Sequence, residues 1–266
     1  MSNPEAARPF AVITGASRGI GAEYARELVS RGYDLLLVAR DRPKLERLAS
    51  ELMERHRVQA DIALLDLSEP EASHRLYQAA RERRSAVDLL INNAGFGSSG
   101  DFIAMPMANI QAMLRLHVNT VVESSRLFLP GMVERRSGAI INVASTAGFM
   151  PIAGMTEYAA TKSFLIAFSE ALAEEVRPFG VRIQVCCPGA TLTDFHRTAG
   201  SHPKGPFTAQ TAAEVVAASL YALGSGRTVV TTHWSGTLTD WLGRWVPRGV
   251  LARGAAWWMR RPKGGG

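Results

Sequence analysis

The sequence predicts an α/β chain built on a doubly wound parallel sheet of about seven strands with helices on both faces. Short apolar runs alternate six times with longer amphipathic stretches, from the N-terminal region almost to the tail. The runs are nearly continuous in apolar residues, as strands covered from above and below must be. A glycine cluster then marks the point where the first run gives way to the first amphipathic stretch.

The expected strands are Phe10 to Thr14, Asp34 to Val38, Asp61 to Leu65, Val87 to Ile91, Ala139 to Val143, Val181 to Cys187 and Arg227 to Thr231. Helical periodicity fills the intervals at about 19–31, 42–56, 69–83, 107–135, 157–177 and 211–223. In such sheets ligands bind beyond the carboxyl ends of the strands, so the loops after each strand are where chemistry is sought.

The chain has 266 residues, 47% of them hydrophobic, and its 24 Gly and 13 Pro are too scattered for a collagen-like or disordered chain. No repeat or Ser/Gly linker divides it. The expected organisation is one domain over 1–235, with a substrate lid at about 193–210, and a basic Trp-rich tail over 236–266. The opening MSNPEAARPF lacks the basic flank and apolar core of a leader, and no stretch approaches the length of a membrane span. The two cysteines, Cys186 and Cys187, are adjacent, which suits buried reduced thiols and a cytoplasmic protein better than a disulfide.

The net charge is +6, but from Gly236 onward six basic residues face one acid, Asp240, so the excess belongs to the tail. No nucleic-acid-binding surface is implied. All five Trp (234, 241, 245, 257, 258) lie in the last 33 residues. Trp241 and Trp245 share a helical face, as do Arg244 and Arg248. Membrane-surface contact through 236–263 is one reading. A lid, a subunit contact or core packing together outweigh it, because Pro247, Gly249 and Gly254 interrupt a long helix.

The first strand runs into Thr14-Gly15-Ala16-Ser17-Arg18-Gly19-Ile20-Gly21 and then a helix. Glycines there permit a tight turn, close approach of the backbone to a pyrophosphate and close helix packing, while the helix N-terminus favours the anion. Dinucleotide binding is expected. At the end of the second strand, small Ala39 takes the place of an acid that would hold ribose hydroxyls, and Arg40 follows it. With Arg18, Arg40 would suit a 2′-phosphate, so NADP(H) is preferred over NAD(H). The competing reading makes Asp41 the ribose ligand.

Downstream stand Ser145 and, thirteen residues later, Tyr158-Ala-Ala-Thr-Lys162. On a helix Tyr158 and Lys162 share a face, so an ammonium can sit near a phenol and lower its pKa toward the working range. His117 reads as a helix residue with a structural hydrogen bond. His196, His202 and His233 show no metal-ligand spacing, so no metal is expected. No GxSxG elbow surrounds Ser145, which removes a hydrolase reading of Ser145, His196 and Asp194.

These motifs together resemble the short-chain dehydrogenase/reductase family, in its compact branch with TGxxxGxG and YxxxK. The likeness spans roughly residues 10 to 231. It rests on TGASRGIG (14–21), Asp66 of LLDL, NNAG (92–95), Asn119 of HVNT, Ser145, YAATK (158–162) and PGATLT (188–193). The resemblance implies a Rossmann-like fold and hydride transfer between NAD(P)(H) and a carbonyl or alcohol. It implies Tyr158 as general acid and base, Ser145 as holder of the substrate oxygen, Lys162 on the nicotinamide ribose and Asn119 supporting a proton-relay water. For the cofactor it implies Gly15, Ser17, Arg18, Gly19, Ile20 and Gly21 at the phosphates. Asp66 and Leu67 would lie near adenine, Asn92, Asn93, Ala94 and Gly95 along the adenosine side, and Pro188, Gly189, Thr191 and Thr193 at the nicotinamide. It further implies a homodimer or homotetramer through the helices near 107–135 and 157–177.

Phe96, Met150, Ile152, Phe195 and Phe207 are expected as apolar walls around Ser145 and Tyr158, which fits a hydrophobic small-molecule substrate such as an oxoacyl chain, a steroid-like ring or a xenobiotic ketone. The rival functions are a catalytically idle NADP-binding sensor or scaffold, and a peripheral membrane protein acting through its tail. The joint presence of Ser145, Tyr158 and Lys162 speaks against the first.

Overall fold

The computed structural model describes residues 8–192 and 209–259. Among them, seven strands form one all-parallel sheet in the order β3-β2-β1-β4-β5-β6-β7. The strands are β1 (Phe10–Thr14), β2 (Asp34–Ala39), β3 (Ala60–Leu64), β4 (Leu89–Asn92), β5 (Ala139–Val143), β6 (Arg182–Cys187) and β7 (Val229–Thr231). The helices are α1 (Gly19–Ser30), α2 (Arg42–Arg55), α3 (Ala72–Arg81), α4 (Met107–Leu114), α5 (Thr120–Glu134), α6 (Thr156–Val176), α7 (Ala212–Gly224), α8 (Trp234–Trp245) and α9 (Arg248–Met259). The doubly wound architecture is the one the alternation predicts.

Successive side chains of a strand point to opposite faces, and each strand here feeds two cores. Ala11, Ile13, Leu35 and Leu37 pack with Leu28 of α1, Leu45 and Leu52 of α2, and Val215 and Leu220 of α7. Phe10, Val12, Leu36 and Val38 pack on the other face with Leu76 of α3, Phe128 and Met132 of α5, and Val176 of α6. Strand order reverses between β1 and β4, which opens the ligand crevice beyond their carboxyl ends.

Two expectations are corrected. The helix foreseen over 107–135 is α4 and α5 joined by a π-helical turn, Arg115–Asn119. Apolar periodicity continues across that turn and gives no sign of the extra residue. In the tail, Pro247 does separate α8 from α9, but Gly249 and Gly254 lie inside α9 and do not interrupt it. The boundary expected at 235/236 falls within α8, whose inner side is seated on the main body. Gly236 lies against Thr146 and Thr231, and Gly243 against the Phe149 backbone.

Candidate active site

Gly15 adopts φ +66° and Gly19 φ +57°, the left-handed region that a β-carbon disfavours. A β-carbon on Gly21 would lie 2.3 Å from the Gly15 carbonyl oxygen, so the start of α1 can lie on the turn only without one. The turn is clamped from β4. Thr14 Oγ1 donates to the Ile91 carbonyl and accepts from the N–H groups of Asn93 and Ala94, while Asn93 Nδ2 donates to the carbonyls of Thr14 and Gly15. Arg18 is exposed at the N-cap of α1 and makes no side-chain cap, leaving the first N–H groups of that helix to an anion. Ser17 and Ile20 are half-buried beside it. The cradle fits a dinucleotide pyrophosphate.

At the end of β2, Arg40 is 74% exposed, and its Nη1 lies 3.2 Å from Asp66 Oδ2. Burial pushes the Asp66 carboxyl up, but hydrogen bonds from Ser68, from both N–H and hydroxyl, and from Arg40 outweigh it and hold it low. Asp41 is engaged elsewhere. It caps α2 by accepting from the Lys44 N–H and pairs with Lys44 Nζ at 2.6 Å, and that hydrogen bonding keeps its carboxyl low.

Two of the expected adenosine-side residues turn inward. Asn92 is buried and donates to Asn142 Oδ1 at 2.9 Å while accepting from Ser124; Asn142 Nδ2 in turn donates to Ser169 Oγ. This chain ties β4 and β5 to α5 and α6, so Asn92 is an internal strut rather than a lining residue. Leu67 has its side chain in the core, and its carbonyl accepts from Thr120. Gly95 is exposed, and a β-carbon there would press on His117 Nε2 at 2.9 Å.

The loop after β5 and the first turns of α6 bring together Ser145, Tyr158 and Lys162. Ser145 caps a 3₁₀ turn, Thr146–Phe149, by accepting from the Ala147 N–H. Gly148 in that turn lets it lie on α6, since a β-carbon there would be 2.7 Å from the Lys162 carbonyl carbon. Tyr158 is buried, and burial pushes its phenol up to about 12, with a hydrogen bond to Ser145 acting in the opposite direction. Lys162 Nζ donates to the Val143 carbonyl at 3.0 Å and stands 5.7 Å from the Tyr158 ring centroid. Burial lowers that ammonium to about 8. Sequence spacing foresaw a phenol acidified by the ammonium. In this arrangement burial dominates, the phenol stays protonated at neutral pH, and the ammonium is engaged by a backbone carbonyl.

His117, in the π turn, is structural as expected. Burial and the nearby Lys162 charge keep it neutral. Its Nε2 accepts from the Phe96 N–H at 3.2 Å, so Nδ1 carries the proton and donates to Thr161 Oγ1, which donates to the Tyr158 carbonyl. Asn119 stands exposed at the end of that turn.

After β6, the Pro188 carbonyl accepts from the Thr146 N–H, and Thr191 is buried with its hydroxyl on the Gly189 carbonyl. Thr193, Asp194, Phe195, His196, His202 and Phe207, with all of the lid expected at about 193–210 but its last two residues, lie outside the described residues. Phe96 lines a cavity of about 550 Å³ with Gly97, Ser98, Met105, Pro106 and Asn109. The segment 97–106 was missed in the sequence because it has neither periodicity nor a motif. Ser98 donates to Glu157, which ties this wall to the first turn of α6, and the His117 ring stands between those of Phe96 and Tyr158 at 5.7 and 5.9 Å. Met150 and Ile152 are half-buried between the Ser145 turn and α6.

The sequence matches the short chain dehydrogenase family over residues 9–204. It is 36% identical over 183 residues to a very-long-chain 3-oxoacyl-CoA reductase of Anas platyrhynchos, covering 67% of this chain and 58% of that relative's length. Among solved structures it resembles a short-chain dehydrogenase from Sphingobium yanoikuyae in complex with NADPH, at 33% identity and TM-score 0.81, covering 89% of this chain and 93% of that one. A short chain dehydrogenase/reductase from Burkholderia phymatum in complex with NAD is 26% identical with TM-score 0.79, covering 88% and 92%. With the glycine cradle and the parallel sheet, these likenesses identify the chain as a member of the short chain dehydrogenase family of oxidoreductases.

Proposed function

We propose that the protein is an NADP(H)-dependent oxidoreductase interconverting a carbonyl and a secondary alcohol on a hydrophobic small molecule. The observation that carries this is the buried Tyr158 phenol, hydrogen-bonded to Ser145 and on the same helix face as Lys162. When bound, the nicotinamide supplies or accepts the hydride. Tyr158 donates a proton to the substrate oxygen during reduction and removes one during oxidation. Ser145 holds that oxygen with a second O–H, where negative charge develops. Lys162 holds the nicotinamide ribose, and Asn119 at the π turn supports the water that relays the proton.

Preference for NADP(H) is supported by the residues at the end of β2. No acid stands at Ala39, Asp41 is engaged in capping α2, and Arg40 is free to reach a 2′-phosphate on turning away from Asp66. The apolar substrate is supported by Phe96, Met105 and Pro106 in the cavity wall, and by a relative whose name specifies a very-long-chain oxoacyl substrate.

Tyr158→Phe tests this reading. A panel of apolar ketones followed by nicotinamide absorbance should show turnover falling by about 10²-fold or more, in line with loss of a general acid, while NADPH still binds. Retained turnover would remove Tyr158 from the chemistry.

A further inference from the structure

Helix α8 has two unlike sides. Gly236 and Gly243, seven residues apart, face inward onto residues 146–149 and 231. Trp234, Leu238, Trp241 and Trp245 recur at intervals of four, three and four, which places them on the opposite side as one apolar stripe. All four are exposed, Trp241 at 55% and Trp245 at 73%. Core packing of these tryptophans, foreseen as one explanation of the tail, is therefore not what the fold does with them. In α9, Val250 and Trp257 are likewise exposed, seven residues apart, while Leu251, Ala252, Ala255 and Ala256 are half-buried.

Charge accompanies the stripe. Arg244, Arg248 and Arg253 are exposed, and Arg260, Arg261 and Lys263 follow in the sequence beyond the described residues. Asp240, the lone acid from Gly236 onward, is paired with Arg244 at 2.9 Å. A second copy of the chain would bring this basic segment against itself, so like charge opposes that occupant. An anionic bilayer matches both features. Indole rings settle at the level of lipid headgroups, and arginines beside them meet lipid phosphates. Among the described residues no helix is long and apolar enough to cross a membrane, so the contact lies in the plane of the surface.

We propose that α8 and α9 form a peripheral docking surface for anionic lipid bilayers, with the Trp234–Leu238–Trp241–Trp245 stripe in the interface. This is independent of the chemistry assigned to Tyr158.

Because all five tryptophans lie in these two helices, the intrinsic fluorescence of the full chain reports on them alone. Vesicles of phosphatidylcholine carrying about one third phosphatidylglycerol should shift the emission to the blue and pellet the protein; phosphatidylcholine alone should do neither. Trp241→Gln with Trp245→Gln should weaken pelleting by more than about tenfold. Arg248→Gln with Arg253→Gln should weaken it about twenty-five-fold on anionic vesicles, each basic residue near the surface being worth about fivefold. Both double variants should turn over a water-soluble ketone as the unaltered chain does, which separates this proposal from the reading of the active site. Equal pelleting of the Trp variant, or no binding to anionic vesicles, overturns it. So does a Trp variant that binds vesicles normally but sediments as a smaller species, which would assign the stripe to a second copy.

Discussion

Gly148 sits against the backbone of Lys162 so closely that a β-carbon on it would stand 2.8 Å from the Lys162 carbonyl oxygen and 2.8 Å from Ile166 Cδ1. Backbone cannot rotate out of the way, so a side chain there must lift the Ser145 turn off α6. Gly148→Ala is expected to lower kcat by about tenfold to a hundredfold, because sub-ångström placement of Ser145 against Tyr158 is lost. The dissociation constant for the dinucleotide should change little, which fluorescence titration checks.

Arg40 and Asp66 form an exposed pair that a 2′-phosphate would replace by a stronger one. Arg40→Ala is expected to raise the NADPH dissociation constant by about tenfold or more, and that of NADH by less than about twofold. Titration of the variant with each dinucleotide checks this, and equal losses would show that Arg40 does not distinguish the two.

Lys162 leads to a pH-dependent prediction. Burial lowers its ammonium from 10.5 to about 8 in the folded chain, so between those values the unfolded state binds more protons than the folded one. Its unfavourable contribution is full below about pH 8 and fades as pH rises toward 10.5. Lys162→Met should therefore melt above the unaltered chain by most at pH 7. The gap should narrow steadily on going to pH 10, as scanning calorimetry of the cofactor-free protein would show. A gap that widened with pH would mean that the ammonium stabilises the fold.

The Asn92–Asn142 strut carries stability rather than chemistry. Asn142→Leu leaves Asn92 Nδ2 and Ser169 Oγ without partners in a dry layer, at a cost of about 2–4 kcal/mol. The melting temperature should fall by about 5–10 °C in thermal denaturation followed by circular dichroism.

Legibility in the sequence followed from how local each cause is. β1 and β5 were legible to the residue because each is a short apolar run that starts straight after a turn former, Pro9 or Gly138, and has few other ways to be buried. Gly15 and Gly21 were legible because a tight turn under a helix excludes a β-carbon. Ser145, Tyr158 and Lys162 were legible as spacing, but their electrostatics were not. The Lys162 ammonium is turned onto the Val143 carbonyl, a backbone group brought in by β5, and burial rather than that charge sets the phenol. Asn92 read as a lining residue because a motif does not show which way a strand side chain points. The π turn at Arg115–Asn119 left no trace, since its extra residue is absorbed between two stretches of ordinary helix. In the tail, the pair Gly236 and Gly243 was the unread signal: two small residues two turns apart mark where a helix lies close on its neighbour.

Those two glycines also govern how the C-terminal helices can be studied. A chain ended at Thr232 would lose its tryptophans, but it would also uncover Thr146 and Phe149, the two ends of the turn that Ser145 caps. An inert truncate would then report a missing buttress and would say nothing about lipids. Gly236 rests on Thr146, one residue from Ser145, so α8 and the proposed reaction centre share a wall.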